Sequence, residues 1–145
     1  MWHRDHRILM ALVVVGLLVP ACREVTAGDA AGSEPARVEP IEGTDLSRVV
    51  MTKGAARRLD IQTAAVQEAG RGRATVVPYG AVFYATNGET WTYVMPEPLT
   101  FVRRAIRVDY FVADLAVLSD GPPPGTTVVT VGAAELFGIE TGVGH

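Results

Sequence analysis

The chain has 145 residues, 48% of them apolar, with 13 basic residues against 16 acidic ones. That length suits one domain once any targeting segment is set aside. The mild acidity, with no basic patch, excludes an electrostatic footprint for nucleic acid. A single cysteine, Cys22, excludes an internal disulfide and a cysteine-based zinc site.

Residues 1–7 (MWHRDHR) are basic, and residues 8–20 (ILMALVVVGLLVP) form an unbroken apolar run. A membrane-crossing helix needs roughly 20 apolar residues, so the run reads as the hydrophobic stretch of a signal peptide spanning residues 1–21. Val19-Pro20-Ala21-Cys22 resembles the lipobox of bacterial lipoproteins, with Pro20 departing from its commonest pattern. The resemblance implies lipidation of Cys22 and cleavage before it. Two or three acyl chains hold a protein stably at a bilayer where one holds it weakly. The expectation is an exported protein, anchored on the outer side of the cytoplasmic membrane or in the periplasm. An ordinary secretory signal, or a short uncleaved anchor, would export the domain equally. Without the leader the net charge is about −4.

Residues 22–45 carry Gly, Ala, Glu, Pro and Ser with few large apolar side chains and read as a flexible tether. Order is expected from residue 46. Residues 48–52 (RVVMT) predict a strand, and Thr52 predicts the cap of a brief helix through Leu59. Residues 61–66 predict a second strand and residues 67–73 (QEAGRGR) a loop. Residues 74–77 predict a strand interrupted at an edge or junction by Pro78. Residues 81–85 (AVFYA) and 90–94 (TWTYV) flank Asn87-Gly88, a hairpin signal. Period-two alternation puts Val82 and Tyr84 on one face, and Trp91 with Tyr93 on one face of the partner.

Residues 100–109 (TFVRRAIRVD) predict one strand with a bulge. Residues 115–118 predict a short buried strand, 119–125 (SDGPPPG) a turn and 126–131 (TTVVTV) the last strand. Residues 132–137 predict one helical turn ended by Gly138, and residues 139–145 a loose tail. The sum is a mainly β fold: a small β-barrel or sandwich-like domain over residues 46–138, with one or two short helical turns.

Several segments, in order, resemble the membrane-proximal domain of periplasmic adaptor subunits of tripartite efflux pumps, the membrane fusion proteins. Residues 50–63 (VMTKGAARRLDIQT) are similar to that family's strand, short helix and leucine-glycine-isoleucine, with Asp60 where glycine is usual. Val77-Pro78-Tyr79-Gly80-Ala81-Val82, the Asn87-Gly88 hairpin with Trp91-Thr92-Tyr93-Val94, and Phe101-Val102-Arg103-Arg104 with Ile106-Arg107-Val108 resemble its following strands. Ser119-Asp120-Gly121 through Gly125, Val128-Val129 and Gly132-Ala133-Ala134-Glu135-Leu136 resemble its closing segment. A full adaptor also carries a coiled-coil hairpin and a lipoyl-like domain, for which this chain has neither heptads nor room. The resemblance implies a stand-alone, non-enzymatic, lipid-anchored module of an efflux or other transport system. Its expected partners are the membrane, through Cys22, and an inner-membrane transporter or other envelope protein. The alternatives are a small-ligand or metal-binding lipoprotein and a remnant of a longer adaptor.

Candidate chemistry is sparse. His3 and His6 leave with the leader and His145 ends the chain, so no metal site and no cofactor are expected. Met51 and Met95 are scattered as core methionines are. Asp109, Asp114 and Asp120 suit strand ends and turns better than an acid–base pair. No nucleophile elbow, HExxH or P-loop occurs, and Gly70-Arg71-Gly72-Arg73 lacks the residues of a phosphate cradle. Alternation would put Arg103 and Arg107 on one strand face. With Arg104 they are candidate contacts to acidic groups on a partner, or else a solvated face. Trp91 and Tyr93 are a candidate aromatic partner patch, or else core packing against Val82 or Tyr84.

Overall fold

A computed structural model describes residues 34–70 and 74–142. The leader, Cys22, residues 23–33 of the expected tether, Arg71, Gly72, Arg73 and His145 lie outside the described residues.

The first strand, β1 (Ala36–Pro40), lies inside the stretch read as tether. It pairs antiparallel with β2 (Ser47–Met51), which supplies the ladder partners that its own poor apolar content could not reveal. Thr52 then caps α1 (Lys53–Arg58), its Oγ1 accepting from the Ala55 N–H at 3.2 Å. The helix ends in a Schellman pattern. The Asp60 N–H donates to the Arg57 carbonyl and the Ile61 N–H to the Ala56 carbonyl, with Asp60 left-handed at φ +50°.

Next come β3 (Gln62–Ala65), the two-residue strand β4 (Gln67–Glu68) within the segment read as a loop, and β5 (Thr75–Pro78). A 3-10 turn (Tyr79–Ala81) follows Pro78, as a residue that terminates pairing should allow. The hairpin of β6 (Phe83–Tyr84) and β7 (Thr90–Glu97) forms as expected. Its loop closes with the Gly88 N–H on the Ala85 carbonyl and the Ala85 N–H on the Glu89 carbonyl. Gly88 sits at φ +83°, where only glycine is unstrained.

The expected strand 100–109 is two strands: β8 (Thr100–Ala105) and β9 (Arg107–Val112). The chain switches sheets at Ile106, which is buried and donates its N–H to the Thr90 carbonyl. After β10 (Leu115–Asp120) and β11 (Thr127–Val131), the terminal helix α2 runs Ala133–Thr141. It passes through Gly138, read as its end, and includes part of the segment read as a loose tail. The stop is Gly142, left-handed at φ +69°.

The fold is mainly β, with two antiparallel sheets and two short helices. One sheet runs β1-β2-β8-β7-β11-β3 with β6 added beside β7, and the other runs β4-β5-β10-β9. Neither sheet closes into a barrel. The larger sheet is apolar on both faces. Val49, Tyr93, Phe101 and Val129 meet Ala133 and Leu136 of α2 in one core. Val128, next to Val129 and so on the opposite face, joins Val77, Ala116 and Leu118 of the smaller sheet in a second core. Each fully buried large side chain here contributes about 1.5–3 kcal/mol over exposure. The fold is thus three layers: helices, large sheet, small sheet.

Candidate functional site

The five residues singled out as partner contacts divide into an internal node and an outer surface. Tyr93 of β7 and Arg103 of β8 are directly opposed across the ladder, so their side chains leave the sheet on the same face. That face is the one under α2. In α2 the inward stripe of buried Ala133 and Leu136 and partly buried Phe137 continues at helical spacing to Glu140.

Glu140 is the hub of the node. Its carboxylate, 3% exposed, lies 3.3 Å from the Arg103 guanidinium, whose side chain is 15% exposed. It accepts a hydrogen bond from the Tyr93 hydroxyl and a longer one, 3.4 Å, from the Ser47 N–H. The Arg103 guanidinium stacks 4.4 Å from the Trp91 ring centroid and 5.5 Å from that of Phe137. Burial pushes the Tyr93 hydroxyl well above the ordinary tyrosine range, and the bond to Glu140 with its negative charge pushes it further. The Arg103 charge opposes the shift without reversing it. Arg103 Nε and Trp91 Nε1 are buried without a hydrogen-bond partner among the described residues.

Tyr93 is fully buried, so its hydroxyl and ring serve the core. Its stacking partner is Phe83, with centroids 5.2 Å apart and planes at 10°. Alternation along 81–85 predicts Val82 or Tyr84 in that place. The register Phe83↔Trp91 shifts the face by one residue, leaving Tyr84 61% exposed and Val82 against the second core. Arg103 and Arg107 do not share a strand face, because the sheet switch at Ile106 separates them. Glu140, placed in the expected tail, is the residue that sequence reasoning missed. The signal for it was the spacing 133, 136, 137, 140.

Arg104 and Arg107 are exposed and form no ion pair among the described residues. Arg107 opens β9, an edge strand of the smaller sheet. The same strand exposes Tyr110, Phe111 and Val112, at 58%, 41% and 52%. Tyr79, 59% exposed on the 3-10 turn, sets its ring edge-on against Phe111 at 5.2 Å. The Asp114 carbonyl at the β9–β10 turn accepts from the Tyr79 N–H and holds this turn in place. Exposed aromatic side chains and a guanidinium on one strand edge, both without a partner among the described residues, are the composition of a contact surface.

Among the described residues, no three His, Cys, Asp or Glu side chains converge as metal ligands, and no helix is long and apolar enough to cross a membrane. An apolar groove of about 820 Å³ runs between β1 and α2, walled by Pro35, Ala36, Val38, Leu59 and Ile139. The chain matches no protein-family model, no curated protein and no solved structure.

Proposed function

We propose that this chain is a lipid-anchored envelope protein that acts by contact rather than catalysis, as an accessory, adaptor-like module of a transport system. The observation that carries the reading is β9, an edge strand whose exposed residues lie on both of its faces. Arg107, Tyr110, Phe111 and Val112, with Tyr79, offer aromatic anchors and a cation to a partner. Arg104 on β8 adds a second exposed cation. The lipobox-like Val19-Pro20-Ala21-Cys22 supports the tether, and the order of segments resembling an adaptor's membrane-proximal domain supports a transporter as partner. Arg103, Trp91 and Tyr93 leave the contact role: with Glu140 they position α2 on the sheet.

The test is crosslinking of the tagged full chain in its native membranes, followed by identification of what is recovered. The expected result is a membrane transporter recovered with the wild type and lost with Cys22→Ala. Phe111→Ala and Arg107→Glu are expected to weaken recovery while the protein stays membrane-bound. A membrane-bound wild type that brings down no transport component overturns the adaptor role.

The groove between β1 and α2 favours a second reading, a carrier of a small apolar ligand. Its volume falls in the range of small-molecule sites. A ligand-dependent rise in melting temperature, lost with Ile139→Asp, would select that reading.

A further inference from the structure

The outer edge of β1 has no ladder partner among the described residues. The Thr52 N–H donates to the Pro35 carbonyl at 3.0 Å, and the Ile41 N–H donates to the Leu46 carbonyl at 2.9 Å. In the β1–β2 register these bonds fix the odd-numbered residues of β1 as the ones whose backbone faces β2. Met51, opposite Ala36, confirms the alternation by donating its N–H away from β1, to Leu99. Ala36, Val38 and Pro40 therefore turn their backbone groups outward, along the end of the seven-stranded sheet. Proline's missing N–H falls on the outer side, where edge strands tolerate it.

We propose that this edge is a homodimer interface, in which β1 of a second copy pairs antiparallel about a two-fold axis at Val38. In that register each Val38 N–H donates to the Val38 carbonyl of the other copy. Each Ala36 N–H donates to the other copy's Pro40 carbonyl. Arg37 lies directly opposite Glu39 of the other copy, and Glu39 opposite its Arg37, so two opposite-charge pairs form on one face. Within one chain Arg37 and Glu39 already lean together, 2.8 Å apart on the same face, with side chains 64% and 39% exposed, so the edge-facing charges are within reach of a second copy.

The neighbouring two-fold registers are excluded by charge. An axis at Arg37 puts Arg37 against its own copy, and an axis at Glu39 puts the two Glu39 side chains together. Like charges directly opposed destabilise a sheet. Charges and a proline are what keep an edge from pairing indiscriminately; here they leave one register of one partner open. The other face favours the same partner. Val38 is 38% exposed on the wall of the apolar groove, and pairing sets it beside its symmetry copy.

Charge-swapped chains mixed together provide the test. The full chain in detergent is expected to dimerise, in sedimentation equilibrium, with a dissociation constant between about 1 μM and 1 mM, as suits a short interface. Arg37→Glu alone and Glu39→Arg alone are each expected to weaken dimerisation by at least roughly tenfold, since two attractive pairs become repulsive. An equimolar mixture of the two single variants is expected to recover a heterodimer close to wild-type affinity. Loss of folding in either variant could not produce that recovery. In a Cys22→Ala background, Val38→Cys is expected to form an intermolecular disulfide, because hydrogen-bonded antiparallel partners have Cα atoms about 5.5 Å apart, within disulfide reach. Gln62→Cys, on the opposite edge strand, is expected not to. A wild type that stays monomeric throughout that range, single variants that dimerise like the wild type, or equal crosslinking at both positions would overturn the proposal. The last two outcomes would leave a foreign strand or a small apolar ligand as the occupant of this edge.

Discussion

Replacing Glu140 by alanine removes the only acidic group among the described residues paired with Arg103, and the acceptor of the buried Tyr93 hydroxyl. Breaking a buried ion pair by removing one member costs about 3–5 kcal/mol, because the survivor keeps a charge that water no longer solvates. Arg103 is 15% exposed and keeps the Trp91 and Phe137 rings, which places the loss at the low end. The stranded Tyr93 hydroxyl adds its own desolvation cost. The expected total is about 3 kcal/mol, a large fraction of the roughly 5–15 kcal/mol that holds a domain of this size. With a urea slope of about 1.5 kcal/mol per molar, the unfolding midpoint should fall by about 2 M. Urea titration followed by fluorescence reads Trp91, the single indole from Cys22 onward, in contact with the node. Glu140→Gln, which retains an acceptor for Tyr93 but not the charge, should lose about half as much. The double variant Arg103→Met/Glu140→Leu should be more stable than Glu140→Ala, since well-packed apolar side chains replace a buried pair at little cost. A midpoint for Glu140→Ala within about 0.3 M of the parent would refute the assignment of Glu140 as the anchor of α2.

Alkaline pH should expose the same node. The folded state holds the Tyr93 proton more tightly than the unfolded chain, so this stabilisation is complete below the ordinary tyrosine range near 10. Above it the unfolded state ionises first, and stability should fall by up to about 1.4 kcal/mol per pH unit. Urea midpoints between pH 9 and 11 should fall more steeply for wild type than for Tyr93→Phe, and parallel slopes would count against it. Asp60→Gly should raise stability by about 0.5–1 kcal/mol, read as a higher melting temperature. It relieves a left-handed residue at the end of α1 and loses only an exposed bond from Gln62. Gly80→Ala should cost about 1–3 kcal/mol, because the added Cβ would stand 2.6 Å from the Thr130 carbonyl oxygen of β11, a backbone atom that cannot turn aside. Gly132→Ala should be at least as damaging by the same measurement, since φ is +93° there and the Cβ would meet Ile61 at 2.2 Å.

The sequence by itself determined the features whose partners lie within a few residues. Thr52 finds the Ala55 N–H three positions on, and Asn87-Gly88 closes its hairpin locally, with the Asn87 side chain accepting from the Glu89 N–H. The β-branched run at 127–131 and the buried run beginning at Leu115 announced their strands by composition. These signals were enough for the mainly β class. What only the tertiary structure decided involves partners far apart in the chain. β1 carries too little apolar surface to read as a strand, and becomes one because β2 satisfies its backbone. Ile106 breaks a plausible single strand because two sheets, not one, receive its halves. Phe83 rather than Val82 or Tyr84 packs on Tyr93, since the pairing register settles which face is inward. Glu140 is the extreme case: α2 continues past Gly138 because Leu136, Phe137 and Glu140 face the sheet, while Gly138 stands off that stripe. Local propensity at Gly138 argues for a stop by about 1 kcal/mol. The partners that outweigh it, Tyr93 and Ser47, lie 47 and 93 residues away.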